Sequence, residues 1–237
     1  MLSEELDADK ADVSPSPSVP KRPDLVNGVY EEVKAMVMDH RIAPGGRLGI
    51  QALARALAVS PTPVREALAR LESDGLVVKR SLSGYRATEL LDRQGVEELF
   101  EMRMLLEPYA AARAAEHATE AQLDLMERLL EEMRERPELG ESYAEYGGFA
   151  TLDQRFHELI AEASGRRLLG DAVERLHVHL HLFRLSPVAG ASPDTLAEHG
   201  RVLRALLRHS PDRAAAAMEE HLQRSLERQR ARFRQEP

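Results

Sequence analysis

The stretch that decides how the first third of the chain folds is "AVSPTPVREALARLESDGLV", Ala58–Val77. Its apolar side chains recur at helical spacing and so share one face: Val64, Ala67, Leu68 and Leu71. Pro63 disfavours the α conformation at the preceding residue, so the pattern predicts Thr62 as the N-cap and Pro63 as the first helical residue. Gly75 ends the helix. The stretch therefore predicts an amphipathic helix with Arg65 exposed in its first turn.

Two further helices and a β-hairpin are predicted around this helix. The first helix starts at Asp24 and ends at the "APGG" loop, residues 43–46. A short second helix carries four apolar residues on one face: Ile50, Leu53, Ala54 and Leu57. Leu76–Lys79 and Tyr85–Thr88 are β-prone and flank a polar turn that ends in Gly84. Three helices followed by a hairpin describe a winged helix-turn-helix, whose third helix enters a DNA major groove.

The rest of the chain is predicted to be helical. Breaks in the apolar pattern divide it into six helices, at about 92–117, 119–136, 141–164, 166–186, 193–209 and 211–234. Pro108 lies inside the first of these and is expected to kink it without ending it. The last two begin with "SPD", in which Ser192 or Ser210 is the N-cap and proline takes the first helical position. We therefore predict a mainly α chain, with the winged helix-turn-helix followed by an all-α antiparallel six-helix bundle.

Charge and composition limit the classes of protein to consider. The formal net charge is -8, yet residues 21–90 carry eleven Lys or Arg against eight acids, so the basic segment coincides with the predicted winged helix-turn-helix. Residues 1–22 are acidic and then rich in Ser and Pro, which predicts a disordered tail. The absence of cysteine excludes disulfides and thiolate metal sites. No apolar run approaches the roughly 20 residues that span a bilayer, so we expect a cytoplasmic protein without a membrane partner.

The motifs of residues 42–88 resemble a known family. "IAPGGRLGIQALARALAVSPTPVREALARLESDGLVVKRSLSGYRAT" is similar to the DNA-binding domain of the GntR family of bacterial transcription regulators. The helical remainder resembles the FCD effector domain that accompanies it in the FadR subfamily, and six helices rather than seven would place the chain nearer the VanR-like branch. The resemblance divides the chain into the tail, a winged helix-turn-helix over 23–90, and a ligand-binding and dimerisation domain over 91–237.

The resemblance implies a DNA-contacting surface on the helix-turn-helix and the wing. The positions implied to contact DNA or to lie beside the contact are Ser60, Thr62, Arg65, Gly84, Tyr85 and Arg86. Two positions in this surface depart from the family pattern. Pro61 stands where the family usually has arginine, and Gln51 stands where some members have another. Arginine is the commonest reader of guanine, so a different operator or compensating contacts are expected.

One pair of residues suggests a metal site. Asp153 and His157 stand four apart in a predicted helix, so their side chains share a face. Without the family, such a pair is more often a surface pair than a ligand pair. The resemblance to metal-binding FCD domains adds His199 and His221, and so implies one carboxylate and three imidazoles. This set suits a divalent ion such as zinc or nickel, and it leaves positions open if the ion is five- or six-coordinate.

The resemblance further implies a small organic acid as the effector, bound beside or on the metal. Arg103 is the candidate cation for its carboxylate, while His177 and His181 share a helical face that could line the pocket, with His179 roughly opposite. We therefore predict a homodimeric, ligand-responsive transcription regulator, a repressor released from its double-stranded operator by the acid. The alternative is a regulator for which the metal is itself the signal. An enzyme is disfavoured, because no general base is tied by motif to the metal ligands.

Overall fold

A computed structural model of the protein describes residues 22–81, 84–135, 142–185 and 193–234. The predicted tail lies outside these ranges except for its last residue, and so does the predicted N-cap Ser192. The described residues form ten helices and three strands, so the chain is mainly α as predicted. None of these ten helices is long and apolar enough to cross a membrane.

The first unit is a winged helix-turn-helix, as predicted. Its elements are α1 (Arg22–Met38), β1 (Arg47–Leu48), α2 (Ile50–Ala56), α3 (Pro61–Ser73), β2 (Val77–Arg80) and β3 (Gly84–Ala87). The strands form an antiparallel sheet in the order β1-β3-β2, with Val77 opposite Ala87 and Arg80 opposite Gly84. Gly84 has a φ of 76°, in the left-handed region that favours glycine. The hairpin formed by β2 and β3 is the wing.

Helix α3 begins two residues earlier than predicted. Ser60 is the N-cap, with extended backbone angles, and Pro61 rather than Pro63 starts the helix. Pro63 then lies in the first turn, where backbone N–H groups have no helical partner, so the second proline removes no hydrogen bond from the helix. The prediction that Thr62 caps the helix is therefore wrong, because the conformation set by Pro61 outweighs the preference of a residue that precedes proline.

The inner face of α3 supplies much of the core of this unit, and four of its apolar side chains are fully buried: Val64, Ala67, Leu68 and Leu71. Truncating Leu68 to alanine is expected to lower the free energy of unfolding by about 2–5 kcal/mol, because its neighbours can fill the resulting cavity only in part. Urea unfolding followed by circular dichroism measures this loss. Ala69→Ser, on the exposed face of the same helix, is the control. A loss below about 1 kcal/mol at Leu68 would contradict its burial.

The second unit is a helical bundle. Its helices are α4 (Arg93–His117), α5 (Glu120–Arg134), α6 (Tyr143–Ala163), α7 (Arg167–Glu174), α8 (Val178–Leu185), α9 (Pro193–Leu207) and α10 (Pro211–Phe233). Helix α4 continues through Pro108, and its N-cap Asp92 accepts a hydrogen bond from the backbone N–H of Gly95 at 2.7 Å. Helix α4 makes its most extensive contact with α10, and α10 also packs against α9.

The single helix predicted over 166–186 is two helices, so the described bundle has seven helices rather than six. The chain turns at His177, whose φ of 44° lies in the left-handed region. The two halves bury their apolar residues in different clusters: Val173 of α7 packs with Ala110 and Ala161, whereas Leu182 of α8 packs with residues of α4. Because the chain changes direction at His177, each half can bury its apolar residues in its own cluster. Seven helices correspond to the FadR-like arrangement, which corrects the expectation of a VanR-like bundle.

Hydrogen bonds join the two units directly. Arg184 of α8 donates to the hydroxyl and to the carbonyl oxygen of Thr88, both at 3.0 Å. The backbone N–H of Tyr143, at the start of α6, donates to the carboxylate of Asp39 at 2.5 Å. The end of α3 also meets the turn between α7 and α8, where the ring of His177 would lie 3.5 Å from a side-chain carbon placed at Gly75. The winged helix-turn-helix therefore packs against α6 and α8 of the bundle.

Candidate metal centre and DNA-contacting surface

Three buried imidazoles converge inside the bundle. His157 comes from α6, His199 from α9 and His221 from α10, and one nitrogen from each lies within 4.8 Å of the others. Their ring centroids are 4.7 to 5.2 Å apart. The ring of Phe156 stacks on that of His199 at 4.7 Å and closes one side of the cluster. The structure thus brings together three residues of which the first and the last are 64 positions apart in the sequence.

Two carboxylates orient two of these rings. The Nδ1 of His157 donates to the Oε2 of Glu107 at 2.7 Å, and the Nδ1 of His221 donates to the Oε2 of Glu198 at 2.8 Å. In each ring this hydrogen bond leaves Nε2 as the atom with a free lone pair. A carboxylate behind each histidine is the usual support of a metal-ligating imidazole, because it fixes the tautomer and makes the ring more basic.

Several buried nitrogens in the cluster lack a protein partner. The Nε2 of His157 and both ring nitrogens of His199 are buried without a hydrogen bond to any described residue. An unpaired buried polar atom costs about 1–3 kcal/mol, so three of them in one cluster require an explanation. A divalent ion bound between the rings would satisfy these nitrogens, and the neutral imidazole is the form that binds metal. The residues present therefore fit a metal ion.

Asp153, the predicted carboxylate ligand, lies beside one of the three imidazoles, that of His199. Its Oδ1 is 3.5 Å from the Nε2 of His199, and its side chain is 17% exposed. Burial raises the pKa of this carboxyl above its ordinary value, with the positive charges nearby acting in the other direction. A cation bound at the cluster would favour the ionised form. The three histidines are close enough together to share one ion, whereas Asp153 stays a predicted fourth ligand next to His199.

Charged residues behind the cluster form two ion pairs that sequence reasoning missed. Arg103 donates from Nε to Glu107 at 2.6 Å, and Arg228 donates from both terminal nitrogens to Glu198 at 2.9 Å. Burial alone would raise the pKa of the Glu107 carboxyl, but Arg103 and His157 outweigh it and hold that pKa well below its ordinary value. The first pair could have been predicted from the sequence, because Arg103 and Glu107 stand four residues apart on α4.

Protonation of His199 and His221 is disfavoured in the folded chain, since burial above all, and then the neighbouring positive groups, lower the pKa of each imidazole well below its ordinary value. In the unfolded chain both residues titrate near pH 6.5, so below that pH the unfolded state binds more protons and stability falls. We expect metal-free protein to lose about 1 kcal/mol per imidazole between pH 7.5 and 5.5. Urea unfolding of chelator-treated protein at the two pH values measures the loss. Replacing both residues by glutamine should flatten the dependence, and an unchanged slope would contradict it.

A small cavity opens beside the cluster and is lined by Arg103, Asp153 and His157 together with residues of α6, α7 and the α7–α8 turn. His177 lines it, as the sequence suggested. His181 does not, because the chain turns at His177 and places His179 on the cavity side instead. Arg103 reaches the cavity but is already paired with Glu107. The predicted effector residues are thus only partly brought together.

The predicted DNA-contacting residues of the helix-turn-helix form one exposed surface. Gln51 lies on α2, while Ser60, Thr62 and Arg65 lie at the start of α3, and all four are exposed. Pro61 is partly buried at the first position of α3. By contrast, Arg70 near the end of α3 stacks over the ring of Tyr30 at 3.8 Å and therefore belongs to the packing of α3 on α1.

The wing differs from the expectation at two positions. Tyr85 is only 9% exposed and forms part of the core, and Arg86 donates to the carbonyl oxygen of Gly45 at 2.8 Å. Both are therefore engaged within the protein, and only Gly84 of the predicted wing residues is exposed. The alternation of side chains along a strand could have predicted the burial of Tyr85, since Tyr85 and Ala87 point to the same buried face. The exposed cations of the wing are Lys79 and Arg80 on β2, which the sequence reasoning missed.

The sequence is similar to known protein families and to individual bacterial proteins. Residues 25–86 match the gntR family of bacterial regulatory proteins, and residues 98–224 match the FCD domain. An uncharacterised HTH-type regulator, YdhC of Bacillus subtilis, is 31% identical over 73% of this chain and 76% of its own length. The HTH-type transcriptional repressor RspR of Escherichia coli is 30% identical over 82% of this chain and 84% of its own length.

A solved structure supports the same assignment. Escherichia coli McbR/YncC is 25% identical, covers 88% of this chain and 98% of its own, and superimposes with a TM-score of 0.64. The matched families and the named relatives are those of DNA-binding regulators rather than of enzymes. The chain, with its winged helix-turn-helix and its bundle around buried histidines, belongs to the GntR family of bacterial transcription regulators and carries an FCD domain.

Proposed function

We propose that the protein is a homodimeric repressor that leaves its operator when a small organic acid binds at a divalent metal in the bundle. The observation that carries this proposal is the set of buried imidazole nitrogens of His157 and His199 that have no protein partner. The ion, zinc or nickel, would be held by Asp153 and the three histidines, and would supply a positive charge for the carboxylate of the acid. Function as a repressor would place the protein with the chromosome in the cytoplasm.

The proposal needs a link between the metal centre and DNA. The cavity beside the metal centre and the cleft between the two units share His177 and His179 as lining residues. An acid that moves these side chains would therefore change the contact of the bundle with α1 and α3. Coupling of this kind is typically 1–3 kcal/mol and must be reciprocal, so operator DNA should weaken acid binding by the same factor.

The surface that we propose for the homodimer lies on α4. Met102, Leu105 and Tyr109 share one face of this helix and are 45%, 72% and 52% exposed. In a symmetric dimer this face would pack against the same face of a second copy. Leu105→Asp is expected to produce a monomer, which light scattering after size exclusion would show. Leu168→Asp, an equally exposed leucine on α7, is the control. A dimeric Leu105→Asp variant would contradict the assignment.

A second candidate is a regulator that senses the metal itself. The cavity beside the cluster has a free volume of about 20 Å³, which accommodates an ion or one water molecule but no organic acid without movement. The two functions differ in a direct way. In a metal sensor, metal alone changes operator affinity, whereas in the acid-responsive regulator the metal-loaded protein changes affinity only when acid is added.

Native mass spectrometry of the purified full-length protein tests the proposal most directly. It should show a dimer, one retained metal ion per chain and the mass of any acid that co-purifies. Titrating zinc into chelator-treated protein on a fluorescent operator, with and without acid, then separates the two candidates. Protein that carries no metal and is indifferent to chelators would refute the site.

A further inference from the structure

The charge of the cavity beside the metal centre is unexpected for a receptor of acids. Four carboxylates line it, those of Glu107, Asp153, Glu158 and Glu174, against one guanidinium, that of Arg103. Arg103 and Glu107 neutralise each other in a buried pair, and Asp153 faces the cluster. Glu158 and Glu174 therefore remain at the mouth of the cavity. Even with a divalent ion bound and partly neutralised by Asp153, the lining has more negative than positive charge.

Neither of these two carboxylates has a close ion pair of its own among the described residues. Arg155 lies 3.7 Å from Glu158, but its guanidinium makes its closer pair with Glu162 at 2.6 Å. Glu158 also accepts a hydrogen bond from the side-chain amide of Gln154, which is neutral and leaves the charge of the carboxylate in place. Glu174 is exposed at the end of α7, where the helix dipole also favours positive charge, and it has no ion pair with any residue that the structure describes. Each carboxylate would repel an acid that carries only negative charge, and would attract a cation.

A buried imidazole beside them indicates that a ligand enters here. His179 is 8% exposed, lines the cavity, and its Nδ1 is buried without a hydrogen-bond partner among the described residues. Burial, followed by the charge of Lys34, holds the pKa of His179 well below its ordinary value, so the ring is neutral. A neutral ring can donate or accept one hydrogen bond at this atom. The nitrogen therefore lacks the partner that a polar ligand would supply.

A larger space next to the cavity could hold the body of such a ligand. The adjoining cleft between the bundle and the DNA-binding unit holds about 320 Å³, within the range of small-molecule sites. Gln154, Glu174, His177 and His179 line both spaces. Because the cavity itself holds only about 20 Å³, a ligand whose carboxylate reaches the metal would displace some of the lining side chains and would extend past Glu174 into this cleft.

We propose that the effector is an amino-carboxylic acid, whose carboxylate faces the metal centre and whose ammonium group lies between Glu158 and Glu174. This inference rests on the proposed function, since it requires that a carboxylate binds at the metal. It narrows the effector from any small acid to a zwitterion. It also assigns Glu174 as a specificity-determining residue, because Glu174 contacts the ligand without belonging to the metal-ligand set.

Matched pairs of acids test the proposal on full-length protein loaded with zinc. Isothermal titration calorimetry would compare propionate with alanine and with β-alanine, butyrate with 4-aminobutyrate, and pentanoate with 5-aminopentanoate, so that the ammonium group moves along the chain. At least one amino acid should bind about tenfold more tightly than its plain partner, the effect of one charge-assisted hydrogen bond. Glu174→Gln should remove most of this preference and leave the affinity for the plain acid unchanged or higher. Glu101→Gln, an exposed residue on α4 away from the cavity, should change neither.

The outcomes distinguish this inference from the proposed function. If plain acids bind in a zinc-dependent way and bind as tightly as every amino partner, or if pentanedioate outbinds 5-aminopentanoate, the zwitterion is wrong and the acid-responsive site stands. If the preference exists but survives Glu174→Gln with an unchanged melting temperature, the assignment of Glu174 is wrong. If no acid of either class binds to zinc-loaded protein, both proposals fail together.

Discussion

His199→Ala is expected to remove the metal from the protein and, with it, the response to acid. His199 is the one imidazole of the three that has no hydrogen-bond partner on either nitrogen among the described residues, so both nitrogens remain available and one of them can bind the ion. Altering a supporting residue of a metal site typically weakens affinity by 10–100-fold, and the loss of a ligand should exceed this, to about 100-fold or more. Metal content after dialysis and competition with a coloured chelator measure the change.

The control for this variant is an exposed histidine. His117→Ala, at the end of α4, should retain metal as the unaltered protein does. The folded state of His199→Ala should persist, because the variant removes the two unpaired buried nitrogens of His199, which offsets part of the lost packing. A variant that retains one equivalent of metal with unchanged affinity would show that the cluster is a structural core and not a metal site.

Arg65→Ala is expected to weaken operator binding by about 10- to 100-fold, with little effect on folding. Arg65 is exposed in the first turn of α3. The helix-turn-helix places this end of its third helix in the major groove. Pro61, one turn earlier, has no side-chain hydrogen-bonding group, so Arg65 should carry a large share of the sequence readout.

The operator for this measurement can be selected from random DNA with the unaltered protein. Fluorescence anisotropy at fixed salt then gives the affinity of each variant for the selected and for a scrambled duplex. Arg128→Ala removes the same charge from an exposed position on α5 and is the matched control. If Arg65→Ala binds both duplexes as the unaltered protein does, α3 does not read the operator in the expected way.

The fold could be predicted well wherever one local signal dominates. Apolar periodicity located nearly every helix to within three residues, because each helix has one face in the core. The α7–α8 break escaped prediction, since it depends on two apolar clusters that meet only in the folded bundle, and no glycine or proline marks His177. The start of α3 was predicted two residues too late, because Pro61 and Pro63 each satisfy the local rule for a first helical position.

The candidate site likewise has residues that the sequence could predict and residues that it could not. The histidines and Asp153 could be nominated from spacing and family resemblance, whereas their supporting residues Glu107 and Glu198 lie on α4 and α9 and become partners only through the packing of these helices. Tyr85 was assigned to DNA contact although strand alternation places it in the core. Acidic residues at the cavity mouth carry no sequence signature, since a glutamate on an amphipathic helix is ordinarily a solvated side chain.

The cleft between the units has a consequence for engineering. Its walls come from both halves of the chain, with Tyr30 and Lys34 of α1 and Asp74 after α3 facing Glu174 and His179 of the bundle. A chimaera that joins this FCD domain to the winged helix of a relative would inherit the metal ligands but would rebuild one wall of the cleft. Biosensors made by exchanging DNA-binding heads should therefore change in what they detect as well as in which promoter they control.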